Sequence, residues 1–134
     1  MEIILLLAAV ALLFACLTFK KNIYPNRKQE RLQILKRYKD AQQKSIQLQE
    51  TLEHYILENN AAEFQINEMT CNVFLENLKI EHTKNLNADA YNKIKNGSST
   101  AYRKKVKLIV RAQAKRLNEA KKYIYMLEKN KSTA

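Results

Sequence analysis

An all-α chain is the fold class the sequence predicts, and three observations predict it. The chain carries one glycine (Gly97) and one proline (Pro25) in 134 residues, too few breakers for a sheet with tight turns. An apolar residue recurs at alternating steps of four and three over more than five heptads from Ile34. The composition is rich in Lys, Gln, Glu, Leu, Ala and Asn, residues that suit long helices better than strands. The expected order is an N-terminal transmembrane helix, a long coiled-coil helix and a C-terminal amphipathic helix that folds back as a hairpin.

The first element, residues 1–21, is predicted to be a membrane anchor. Residues 3–19 hold no charge, and Ile3, Leu5, Leu6, Leu12, Leu13, Phe14 and Phe19 supply its bulk. Those seventeen residues span about 25 Å as a helix, slightly less than a bilayer core of roughly 30 Å. A cleaved secretion signal wants positive charge ahead of the apolar run, and only Glu2 stands there. A lipoprotein signal ending at Cys16 would place the bulky Phe14 where a small residue fits. An uncleaved anchor wants positive charge after the helix, which Lys20, Lys21, Arg27 and Lys28 provide. That asymmetry favours a single-pass membrane protein whose rod is cytoplasmic. Tyr24-Pro25-Asn26 reads as a short break, with Pro25 in the first turn of the next helix.

Residues 22–82 are predicted as one long helix. Its seam runs Ile34, Tyr38, Ala41, Ser45, Leu48, Leu52, Tyr55, Asn59, Ala62, Ile66, Met69 and Val73, ten of the twelve positions apolar. Asn59 either fixes register against a symmetry mate or marks a weak point. Residues 83–99 read as a short helix and a turn. Asn87 can cap residues 88–95, and Gly97-Ser98-Ser99-Thr100 can end that helix and start the next. The last helix, residues 100–129, has a second seam of Val106, Val110, Gln113, Leu117, Ala120, Ile124 and Leu127. Its opposite face is basic, with Lys104, Lys107, Arg111, Lys115 and Lys122. Residues 130–134 read as a frayed tail.

The net charge of +11 is uneven along the chain. Residues 20–40 hold eight basic and two acidic side chains, residues 41–99 five and eight, residues 100–134 eleven and two. The acidic middle and the basic end suit an intrachain hairpin, with the last helix lying back along the first. A parallel dimer through residues 34–73 is the competing arrangement, and both together is a third. The implied partners are the lipid bilayer and the chain itself or another helical protein. Nucleic acid is a less favoured partner for the basic helix, since no recognition motif accompanies the charge.

Nothing in the sequence points to catalysis, a cofactor or a metal. His54 and His82 stand 28 residues apart with no second ligand at metal spacing. No nucleophile–base arrangement or phosphate-cradling glycine loop can be assembled. Cys71, the lone cysteine outside the apolar run, reads as an inert thiol.

Two resemblances accompany this layout. Residues 114–124, AKRLNEAKKYI, look like the closing helix of inner-membrane spanin subunits of phage lysis systems. Cys71 ahead of an Asn-rich link, and the order of anchor, rod and second helix, are also similar. That resemblance implies a periplasmic rod that engages an outer-membrane lipoprotein and promotes membrane fusion, the opposite topology to the one the lysines favour. FACLTFKKNIYPNRKQER, residues 14–31, resembles the membrane-anchored stalk subunit of rotary ATP synthases over those eighteen residues only. The function expected is a non-catalytic, membrane-anchored helical scaffold or tether. The alternatives are a spanin-type lysis protein and a membrane-tethered nucleic-acid binder.

Overall fold

The computed structural model describes residues 2–132 and, among their side chains, those of residues 7–18 and 26–130. The described residues form four helices and one short hairpin: α1 (Glu2–Asn59), β1 (Gln65–Ile66), β2 (Met69–Thr70), α2 (Cys71–Asn85), α3 (Ala88–Lys95) and α4 (Thr100–Ser132). The chain is thus predominantly helical. It divides into two compact units, Met1–Gln33 and Ile34–Ala134.

The first unit is helical throughout its described residues, and Tyr24, Pro25 and Asn26 are helical with the rest. The break expected at Tyr24-Pro25-Asn26 does not form. A proline removes one backbone donor from a helix, and the turns that follow it, residues 27–32, are strong helix formers that continue the helical path.

In the second unit, α1 ends at Asn59, so the long helix expected over residues 22–82 is interrupted. Asn60 takes a left-handed backbone at φ 49°, and the Ala61 N–H donates to the Ile56 carbonyl at 3.0 Å. That six-to-one bond after a left-handed residue is a Schellman stop, and asparagine is the commonest substitute for glycine there. Ala61, the residue after the left-handed position, is fully buried. Asn59 spends its side chain on the same ending, donating Nδ2 to the Tyr55 carbonyl at 2.8 Å. It is the last residue of the helix.

The chain then turns through a two-residue hairpin in which Gln65 faces Thr70 and Ile66 faces Met69. Asn67 and Glu68 both have positive φ, 46° and 66°, as a tight turn of this kind demands. Ile66 is buried and Met69 half-buried, so two residues whose separation of three reads as helical are in fact a cross-strand pair. Thr70 caps α2, its side chain accepting from the Val73 N–H at 3.3 Å. The new helix resets the register. Cys71, Phe74, Leu75 and Leu78 turn inward, and Val73, placed on the seam by its spacing, is 50% exposed.

α2 runs antiparallel to α1. Early α1 meets late α2 where the Tyr38 hydroxyl donates to the carbonyls of Asn87 (2.8 Å) and Asn85 (3.3 Å), and Gln42 Nε2 donates to the Leu86 carbonyl at 2.7 Å. Later α1 meets the middle of α2 where Lys79 Nζ lies 3.5 Å from Glu53 Oε1. α3 follows, capped by Asn87, whose side chain accepts from the Ala90 N–H at 2.9 Å. Gly97 at φ 109° makes the exit, and the Ser99 hydroxyl accepts from the Tyr102 N–H at 3.2 Å to open α4.

α4 is antiparallel to α2: Arg116 pairs with Glu81 at 2.8 Å, and the Phe74 and Tyr123 rings meet edge-on at 6.4 Å. It therefore runs parallel to α1, with Lys44 of α1 bonded to Asn118 of α4. The second unit is an up–down–up three-helix bundle, not the two-helix hairpin in which α4 lies back along α1. The returning role that the hairpin gave to α4 belongs to α2. One core joins Ile34, Tyr38, Leu48 and Leu52 of α1, Leu75 and Leu78 of α2, Ile94 of α3, and Val106, Val110, Leu117 and Ile124 of α4.

Two stability changes follow from this packing. Leu52 has no exposed surface, so Leu52→Ala should lower stability by about 2–5 kcal/mol in urea unfolding followed by circular dichroism. Glu68 holds a left-handed backbone that costs a residue with Cβ roughly 1 kcal/mol, so Glu68→Gly should raise the urea midpoint.

Candidate functional site

Two surfaces, one in each unit, carry the side chains a function would use. In the first unit, Leu7, Val10, Leu12, Leu13, Phe14 and Leu17 are all more than half exposed. Leu12, Leu13 and Phe14 are consecutive, so at about 100° per residue they face three different directions. Over residues 7–18 the helix is apolar around its circumference, and these side chains are exposed. Thr18, the polar residue of this stretch, donates its hydroxyl back to the Phe14 and Ala15 carbonyls at 2.9 and 3.0 Å. Such back-bonding satisfies a hydroxyl without water.

Among the described residues, no helix is long and apolar enough to cross a membrane. The apolar stretch with described side chains, residues 7–18, covers about 18 Å against a bilayer core of roughly 30 Å. The side chains of Ile3, Leu5, Leu6 and Phe19, and of Lys20 and Lys21, lie outside the described residues. Arg27 and Lys28 are exposed.

In the second unit, the seam residues are consumed by the chain's own core. Ile34, Tyr38, Leu48, Leu52, Tyr55 and Ile66 are buried, as are Val106, Val110, Leu117 and Ile124; Asn59, Met69 and Leu127 are half-buried. Burial pushes the Tyr38 phenol up to about 12, with the neighbouring Tyr102 phenol adding to the effect. The Tyr38 and Tyr91 rings meet at 5.9 Å, and Lys93 Nζ sits 4.5 Å from the Tyr102 ring centre. Cys71 is a free, buried thiol whose pKa burial raises, which disfavours the reactive thiolate.

The outward face of α4 holds the basic residues. Lys104, Lys107, Arg111, Lys115 and Lys122 are all exposed. Arg116, on the flank of α4, takes Glu81, and Glu53 of α1 goes to Lys79 of α2 at 3.5 Å. Sequence reasoning missed that Leu108 and Met126 also lie outward on α4, 68% and 58% exposed. Their spacing from the seam, two positions out of phase with Val106 and Ile124, is the signal that would have placed them there.

Among the described residues no group of acidic, histidine or cysteine side chains could hold a metal ion. His54 is exposed, its Nδ1 3.2 Å from Glu58 one turn on. His82 is different: its Nδ1 is buried with no hydrogen-bond partner, and desolvation holds its pKa below the ordinary 6.5. The open groove beside α1 is lined by Asp40, Lys44, Glu50 and Lys121, a mixed polar wall with no convergent catalytic set. No protein-family model, no curated protein and no solved structure matches the chain.

The His82 environment sets a pH dependence. The folded chain keeps this imidazole neutral to a lower pH than the unfolded chain does. The unfolded state therefore takes up the extra proton as pH falls through 6.5, and folding stability falls with it. Urea midpoints should drop between pH 7.5 and 5.5, and His82→Gln should flatten that slope.

Proposed function

We propose that the protein is a non-catalytic helical module held at a membrane by its N-terminal segment, with the three-helix bundle presented as a scaffold or tether. The observation that carries this reading is the exposed apolar circumference of residues 7–17. Apolar side chains on all sides of a helix call for an apolar surrounding, and a bilayer supplies one. Exposed Arg27 and Lys28, following the apolar stretch, support a topology that leaves the bundle on the cytoplasmic side.

The bundle's design supports a scaffolding role over a self-assembly role for the seams. Most residues of both 4-3 seams are buried inside one chain, so a partner would meet the outward faces of the helices.

The full chain expressed in bacteria should remain with membranes through alkaline carbonate extraction. The pair Leu12→Arg and Phe14→Arg should release it into the supernatant. Wild-type protein recovered in the supernatant would sink the anchor. A reporter fused after Ala134 should be active in the cytoplasm. Activity in the periplasm instead would favour the spanin-type alternative, with the bundle outside the inner membrane.

A further inference from the structure

We propose that the outward face of α4 is a docking surface for anionic phospholipid headgroups. Lys104, Arg111, Lys115 and Lys122 are separated by seven, four and seven residues. At 100° per residue all four fall within about 20° of one line along the helix. The line lies opposite Val106, Val110, Leu117 and Ile124, which face the core. It extends for about 27 Å at the helical rise.

These four cations are exposed, and none makes an ion pair or a hydrogen bond with another described residue. Of the acids in the middle of the chain, Glu81 is taken by Arg116 on the flank of α4. A row of cations with their charges uncompensated repels itself, and an external anion relieves that repulsion. Within α4, Glu119 adds a negative charge beside the row.

The chemistry of the face favours a lipid surface over a nucleic acid. Leu108 and Met126 stand beside the cations, 68% and 58% exposed, where a water-facing helix would ordinarily place polar residues. Neither can hydrogen-bond a sugar or a base. Both can sink between headgroups while the longer lysine and arginine side chains hold the phosphates, the arrangement of a basic surface-bound helix. Asn118, an amide on that side suited to nucleic-acid contacts, is held by Lys44. The row is straight and the surface it fits is flat.

The test uses the full chain in neutral phosphatidylcholine vesicles, and it rests on the membrane anchor only for how the protein is held. Co-flotation with those vesicles reads the anchor by itself. Protein-free vesicles containing phosphatidylglycerol are then added, and bridging is followed by light scattering. Bridging is expected with phosphatidylglycerol and absent with phosphatidylcholine alone, and it should weaken as salt rises. Each cation changed to glutamine should weaken it about five-fold, and Lys104→Gln, Arg111→Gln, Lys115→Gln and Lys122→Gln together should abolish it.

Leu108→Ser with Met126→Ser should weaken bridging with the charge intact, and Lys104→Arg with Lys115→Arg should preserve it. If the chain does not float with neutral vesicles, the anchor is wrong, and docking is read directly by cosedimentation with each vesicle type. Equal binding to neutral and anionic vesicles would overturn the proposal. So would tighter binding to duplex DNA than to phosphatidylglycerol vesicles at matched anionic charge and salt.

Discussion

The architecture of the second unit depends on one backbone conformation, the left-handed turn of Asn60. If α1 continued past Asn59, its seam would extend in one direction and could meet only the last helix. Because Asn60 reverses the path, the Ala61 N–H can close on Ile56, and the chain re-enters as α2 antiparallel to α1. Every later placement follows. α2 brings its own apolar side to α1, the Asn87 and Gly97 caps turn the chain again, and α4 arrives parallel to α1. The groove it fills is lined by two helices, not one.

That third position also explains the distribution of charge. A two-helix hairpin would have set the basic helix against the acidic stretch of the first. In a three-helix bundle, each helix points its apolar seam at a shared core, and charged residues are left to the perimeter. Ion pairs then form where flanks touch, as Glu81 and Arg116 do. Such exposed pairs contribute little, about 0–1 kcal/mol each. The core, not charge matching, holds the helices, and the basic face of α4 is left outward.

Much of the helical content was legible, and the reason is periodicity. Ile34 through Tyr55 and Val106 through Ile124 repeat without interruption, and both sets are buried. Asn87 and Gly97 announce α3 because one supplies a cap oxygen and the other a positive φ. What the sequence concealed lies between residues 59 and 73. Asparagine at position 60 does a glycine's work, and Glu68 sits where a tight hairpin prefers glycine, so neither flagged a turn. Ile66 and Met69 kept the helical spacing while pairing across strands. Pro25 misled in the opposite sense, promising a break where the helix continues. The outward face of α4 was only half legible: its cations were plain, but Leu108 and Met126 declare themselves only once the core is known.

The hairpin at residues 65–70 also fixes the order in which the bundle can assemble. It joins α1 and α2 through about a dozen residues, so bringing those helices together closes a small loop at small entropic cost. α4 contacts α1 only across a much longer stretch, Lys44 to Asn118 being 74 residues apart. The α1–α2 pair is therefore the natural nucleus, and α4 the last element to dock. During synthesis, the first two helices can pair while the third is still emerging. The exposed strip of their unfinished core waits for Val106, Val110, Leu117 and Ile124 to cover it.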